Sequence, residues 1–281
     1  MQRFPFQLII SFFVFFTIMS VHLYGKSMSL SELELSKIVE IQDSFFKNGN
    51  HLPEEELIRQ AQYVVNQYES YLTENPNDVN GLILFGKFLK RTGNSEDAFS
   101  KFWKADQLNP NIAVTKQQIG NFFVENGRII EAFPFFLQAT RLEPEEPAYH
   151  HNLGSFIYIF EEKLSNIDHD ESLGELMHES FKHAAHLQPE NFDYQLRFAQ
   201  SFFDFKNSNS NAGLIAWQKL LNGFSNRSKK ETDYIKLGIA KMLIRLNKSK
   251  DALNLLNSVQ TESLMHSKDI LIKKARLLTN K

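Results

Sequence analysis

No cysteine occurs in the 281 residues. That excludes disulfides, thiolate metal sites and cysteine nucleophiles, so packing alone must hold the chain together. An excess of one charge is also missing. The 31 Lys and Arg residues stand against 33 Asp and Glu, a net charge of −2. Without Arg3 the balance becomes −3. Neither value gives the electrostatic footprint of a nucleic-acid binder. Linkers rich in serine, threonine or proline are absent. Acidic residues are missing from the start of the chain, where none precedes Glu32.

That first stretch is of another kind. Arg3 is followed by FPFQLIISFFVFFTIMSV, and the next charge is Lys26. A positive start and an apolar tract follow the plan of a secretory signal. The uncharged tract, residues 4–25, is 22 residues long and would cross a bilayer if retained. No clear cleavage site of small residues follows it. Residues 1–25 are therefore expected to be a signal peptide or an N-terminal membrane anchor. Either way the rest of the chain lies outside the cytoplasm, because Arg3 stays inside. It is then periplasmic or secreted, or anchored with residues 4–25 providing membrane association. Twenty of the 26 phenylalanines lie beyond this tract, enough for a large core.

Prolines are few, and three of them mark a period. Pro76, Pro110 and Pro144 lie 34 residues apart. Between them Gly86 lines up with Gly120, Gly93 with Gly127, Ala98 with Ala132, Phe102 with Phe136 and Ala105 with Ala139. A period of this length signals stacked helical hairpins. Leu82, Phe85, Gly86 and Leu89 share one helix face at a 3.6-residue spacing. Gly86 is expected where the second helix crosses closely, with Phe102 filling the space between hairpins. Gly93 ends the first helix in a left-handed conformation, and Pro110 stops the second.

The third unit repeats Leu153 and Gly154, but Phe181, Ala184 and Pro189 arrive 11 residues late, an insertion within EEKLSNIDHDESLGEL. A fourth unit carries Phe198, Ala199 and Phe202, then Gly213, Trp217 and Leu220. A fifth carries Ile239, Ala240 and Leu243, then Ala252, Leu256 and Val259, with Asn247 in the place of Gly93. Before the repeats, Ser31 and Glu34 form a candidate capping box, and Pro53 opens a long helix. After them, Leu271, Ala275 and Leu278 give the stripe of a capping helix.

This pattern resembles the tetratricopeptide repeat family. The expected fold is an all-α, TPR-type solenoid of stacked hairpins. Residues 1–25 are the leader and 26–78 an N-terminal helical pair. TPR-like repeats fill 79–261, as units 79–112, 113–146, 147–191, 192–232 and 233–261. A capping helix occupies 262–281. The resemblance implies a non-catalytic scaffold or adaptor that binds a protein or peptide ligand in the concave groove of the first helices, without a cofactor. Ligand-facing positions in such repeats lie just after the small residue of each first helix. Here they are Lys87, Asn121, Ser155, Gln200 and Lys241. Four residues earlier stand Ile83, Gln117, His151, Leu196 and Leu237. The polar members, Lys87, Gln117, Asn121, His151, Ser155, Gln200 and Lys241, form the expected partner-binding groove, since amides and ammonium groups suit an extended peptide. Of the two-carboxylate clamp of chaperone-binding relatives only Asn121 stands in place, so an acidic chaperone tail is disfavoured.

Three other patterns fall short of their chemistry. Gly81-Leu-Ile-Leu-Phe-Gly86-Lys87-Phe88 lacks the Ser or Thr of a phosphate loop. Asp168, Asp170, Ser172 and Glu179 have calcium-loop spacing, but Leu173 replaces the turn glycine. Six of the nine histidines lie between His150 and His186. They keep open a rival reading, a metal-binding protein or enzyme built on the third repeat, although Lys182 stands where the second histidine of a zinc-protease motif belongs. The other alternative is a membrane-anchored assembly factor using the same groove.

Overall fold

The computed structural model describes residues 28–165, 172–205 and 208–279. The leader (1–25), Asp168 and Asp170 of the calcium-loop pattern, and His169 lie outside the described residues. Thirteen α-helices and no strand occur among those described. An N-terminal pair, α1 (Leu30–Asn48) and α2 (Glu54–Glu74), precedes five hairpins. These are α3 (Val79–Arg91) with α4 (Ser95–Leu108), α5 (Ala113–Glu125) with α6 (Ile129–Leu142), and α7 (Pro147–Leu164) with α8 (Leu173–Leu187). Then come α9 (Phe192–Asp204) with α10 (Ser210–Gly223), and α11 (Lys229–Arg245) with α12 (Ser249–Asn257). A single helix, α13 (Met265–Thr279), follows. Each helix packs on its neighbours in the sequence, as in a solenoid.

Local chemistry sets the punctuation. Pro76, Pro110, Pro144 and Pro189 each fall just beyond the end of a helix, α2, α4, α6 and α8. Three first helices end in the same way. Gly93 (φ 92°), Gly127 (φ 71°) and Asn247 (φ 58°) take left-handed backbone. The next amide then reaches back, with Asn94 N–H donating to Leu89 O at 2.9 Å, Arg128 to Phe123 at 2.8 Å and Lys248 to Leu243 at 2.9 Å. This is the Schellman closure. The side chains of Asp78, Asn94, Ser172, Asn191, Asn209 and Ser228 cap helix N-termini.

The capping box of α1 is Ser29 with Glu32, two residues earlier than the Ser31–Glu34 reading. Both halves close there. Ser29 Oγ accepts from Glu32 N–H at 3.2 Å, and the Glu32 carboxylate accepts from Ser29 N–H at 2.8 Å. At the small residue the second helix crosses closely, as expected, and its large ring makes the contact. The Phe102 ring lies over Gly86 within one hairpin, where an added Cβ would come within 2.9 Å of it. Phe136 covers Gly120 and Phe181 covers Gly154 in the same way. Phe136 also stacks on Phe156 of the next hairpin at 4.7 Å. In the C-terminal units this contact moves between hairpins. Trp217 on α10 covers Gly238 on α11, and Met242 on α11 meets Gly213 on α10.

Two apolar cores result, one running through α1–α8 and the other through α9–α13, with Phe198 packed against both. Their joint is partly polar. His178 on α8 is buried against Phe198, Phe202 and Phe205, and its Nδ1 lies 2.8 Å from Ser201 Oγ. Ser201 spends its own proton on Phe198 O, so the imidazole is the donor to the hydroxyl.

Candidate functional site

The expected groove residues sit on the first helices of the five hairpins: Lys87 on α3, Gln117 and Asn121 on α5, His151 and Ser155 on α7, Gln200 on α9 and Lys241 on α11. Lys87 is exposed, while Asn121, His151, Ser155, Gln200 and Lys241 are half-buried. Gln117 is buried, 6% exposed. The apolar members of its column divide, with Ile83 and Leu237 in the core and Leu196 half-buried.

Contacts join the positions on α7, α9 and α11 from helix to helix, and the two on α5 to each other. Gln117 Nε2 donates to Asn121 Oδ1 at 3.1 Å, one turn along α5. The His151 ring lies 5.0 Å from that of Tyr194, linking α7 to α9. Gln200 Nε2 donates to the Tyr234 hydroxyl at 2.9 Å, linking α9 to α11. The Lys241 ammonium sits 3.7 Å above the Phe203 ring.

At the centre stands a residue absent from the expected set. Arg197 on α9 lies over Tyr158 of α7 at 3.9 Å and over Phe181 of α8 at 4.4 Å. Its Nη1 donates to Gln200 Oε1 at 3.2 Å, and Asp204 stands 3.5 Å away. Tyr158, Tyr194, Arg197, Asp204 and Tyr234 therefore belong to the same surface as Gln200. Arg197 lies one turn before Gln200 and Tyr158 one turn after Ser155. A search extended by one helical turn from each column would have reached both.

The charges are held under strain of solvation rather than in open water. Lys87 is exposed as a residue, yet desolvation of its ammonium by the surrounding protein lowers its pKa, and Glu143 opposes this. Burial, and then Glu146, raise that of Glu143. Burial lowers His151, helped by Arg197, so the imidazole is neutral at pH 7. Burial also lowers Arg197 and Lys241 and raises Asp204, with Asp204 holding both cations charged. Two polar atoms of this surface, Gln117 Oε1 and Arg197 Nη2, are buried without a hydrogen-bond partner. The surface thus combines amide donors and acceptors, phenol hydroxyls and cations on a row of parallel elements. Such a set suits the backbone and polar side chains of an extended segment.

The histidines of the third unit serve separate packing contacts. His150 stacks on His183 at 5.2 Å and bonds to Pro144 O at 2.8 Å, His151 faces Tyr194, and His178 lies in the joint. Among the described residues no group of three or more His, Asp or Glu side chains could hold a metal ion. Ser172 caps α8, and Glu179 pairs with Lys182 at 2.9 Å.

No family model and no curated protein matches the chain. Solved structures do. The TPR protein YrrB, described as having an unusual peptide-binding site, is similar with a TM-score of 0.56 and 15% identity, over 76% of this chain and 96% of that one. PilF of Pseudomonas aeruginosa is similar at 0.54 and 12%, over 89% and 99%. The Naa15/Naa10 complex bound to HypK-THB is similar at 0.58 and 13%, over 87% of this chain and 34% of that one. At such identities the likeness is one of fold, and the fold is an all-α solenoid of the tetratricopeptide-repeat type.

Proposed function

We propose that the chain is a non-catalytic protein–protein interaction scaffold, exported from the cytoplasm, that holds an extended segment of a partner protein along its first helices. The observation that carries this reading is the run of polar and aromatic side chains joined across α7, α9 and α11, continued on α5 by Gln117 and Asn121. The peptide-binding site named for YrrB supports it as an analogy of fold. Export rests on Arg3 and the uncharged tract 4–25. That same tract favours a second reading, a membrane-anchored assembly factor with the same groove. No helix among the described residues is long and apolar enough to cross a membrane.

Affinity capture from the exported fraction tests the groove. Asn121→Ala is expected to keep the fold, at some loss of stability because Gln117 Nε2 loses its acceptor, and to weaken partner binding by about 1–3 kcal/mol, because a partner group is left unpaired. A Lys87→Ala/Asn121→Ala double variant that stays folded and keeps its captured partner would move the site elsewhere. N-terminal sequencing of the exported chain separates the cleaved from the anchored form.

A further inference from the structure

The two ends of the solenoid differ sharply in charge, although the chain as a whole is nearly neutral. Residues 28–78, which hold α1 and α2, carry ten Asp and Glu against three Lys and Arg. Residues 229–279, which hold α11–α13, carry eleven Lys and Arg against five Asp and Glu. Both ends also expose large apolar side chains: Leu30, Leu33 and Ile58 at the acidic end, Ile270, Leu277 and Leu278 at the basic end. Terminal units of a solenoid stay soluble by presenting a polar outer face, and these ends depart from that.

At the basic end the repeat itself says what kind of element would pack on α13. Three residues after the small residue of each first helix stand Leu89, Phe123, Ile157, Phe202 and Leu243, all buried. On α13 the buried small residue is Ala275, so Leu278 holds this position, and it is 41% exposed, beside Leu277 at 61%. α13 is thus the first helix of a hairpin that no second helix covers among the described residues. Its small-residue position is kept by Ala275, which is buried like Gly86, Gly120, Gly154, Ala199 and Ala240 and is flanked by Lys274 and Arg276. A helix seated there meets apolar side chains between cations, so it must bring acidic residues.

We propose that this element comes from a second copy of the chain, the acidic N-terminal pair of one molecule docking on α13 of the next, head to tail. Opposite charges attract across this contact, whereas a two-fold pairing of like ends would set like charges face to face. Because the two contacting surfaces differ, copies add head to tail, and a row that does not close into a ring keeps one free end of each kind. This does not depend on the groove.

Sedimentation of the full chain tests it, with two variants that touch only exposed side chains. Ile270→Ser/Leu277→Ser blunts the basic end, and Leu30→Ser/Leu33→Ser the acidic end. The wild type is expected to associate progressively with concentration and to lose this at high salt, where surface charges are screened. Each variant alone should sediment as a monomer, and their equimolar mixture as a dimer that grows no further. A monomeric wild type, or association that survives in either variant alone, overturns the proposal. So does a wild type that stays monomeric yet floats with vesicles of anionic lipid, which would assign the basic end to a membrane surface.

Discussion

Asp233 offers the most demanding test of the C-terminal architecture. It lies near the start of α11, 2% exposed, and one oxygen does most of its work. Oδ2 accepts from Gln260 N–H at 2.9 Å, Thr261 N–H at 2.9 Å and the Thr261 hydroxyl at 2.7 Å, while Lys236 stands 3.7 Å from Oδ1. These bonds tie the turn between α12 and α13 back to α11, and so set where α13 lies. Asp233→Ala leaves two backbone amides and a hydroxyl without an acceptor. Each buried donor left unmade costs about 1–3 kcal/mol, and the hydroxyl can turn to solvent. The expected loss is therefore about 2–6 kcal/mol, read as a lower urea midpoint with new protease sensitivity near Gln260. Asp233→Asn keeps an acceptor and should lose about half as much. The pH dependence has a definite sign. Burial alone would raise the pKa of Asp233, but the Gln260 and Thr261 donors hold it below the ordinary value. Its stabilisation is therefore present above the unfolded pKa of about 3.9 and disappears as pH falls through the folded one. A loss under about 0.5 kcal/mol for the alanine variant, within the range of ordinary surface substitutions, would refute the latch.

Three further outcomes are expected. Replacing Gly86 or Gly120 with Leu drives a side chain into Phe102 or Phe136 and should cost roughly 1–3 kcal/mol in thermal unfolding; unchanged melting in both variants would mean that the hairpins are wrongly assigned. His178 has its pKa lowered by burial, so the unfolded chain binds the proton more readily. Thermal stability should then fall as pH drops below about 6.5, and His178→Gln should flatten that slope; an equal slope in the variant would clear His178 of this role. A fusion of residues 1–30 to a reporter active only outside the cytoplasm should be active, and soluble cytoplasmic accumulation of the native chain would rule export out.

Much of this architecture can be read from residue types alone, for a physical reason. In α3–α8 each contact that closes a hairpin joins positions at a constant offset, so Gly86 with Phe102 and Gly120 with Phe136 recur in register. Asn247 could be placed beside Gly93 and Gly127 because left-handed backbone restricts the residue types that serve there. Legibility fails where contacts leave the hairpin. Trp217 covers Gly238 of the following unit, and no spacing within a unit points to that pair. The box at Ser29 was missed because Ser31 and Glu34 offer the same residue types at the same spacing, and only the start of the helix decides between them. The groove columns take one position per unit. Arg197, Tyr158 and Tyr234 come together through side-chain reach and the offset between helices, which lie in tertiary packing.

The central claim is that a partner lies along the first helices, and crosslinking in place tests it most directly. A photoreactive amino acid is introduced at Asn121, half-buried on α5 and proposed to line the groove, or at Gln138, exposed on α6, in the chain expressed in its own host. The account predicts a specific crosslinked protein from position 121 and none from position 138. Crosslinks from 138 alone, or from neither position, would contradict it.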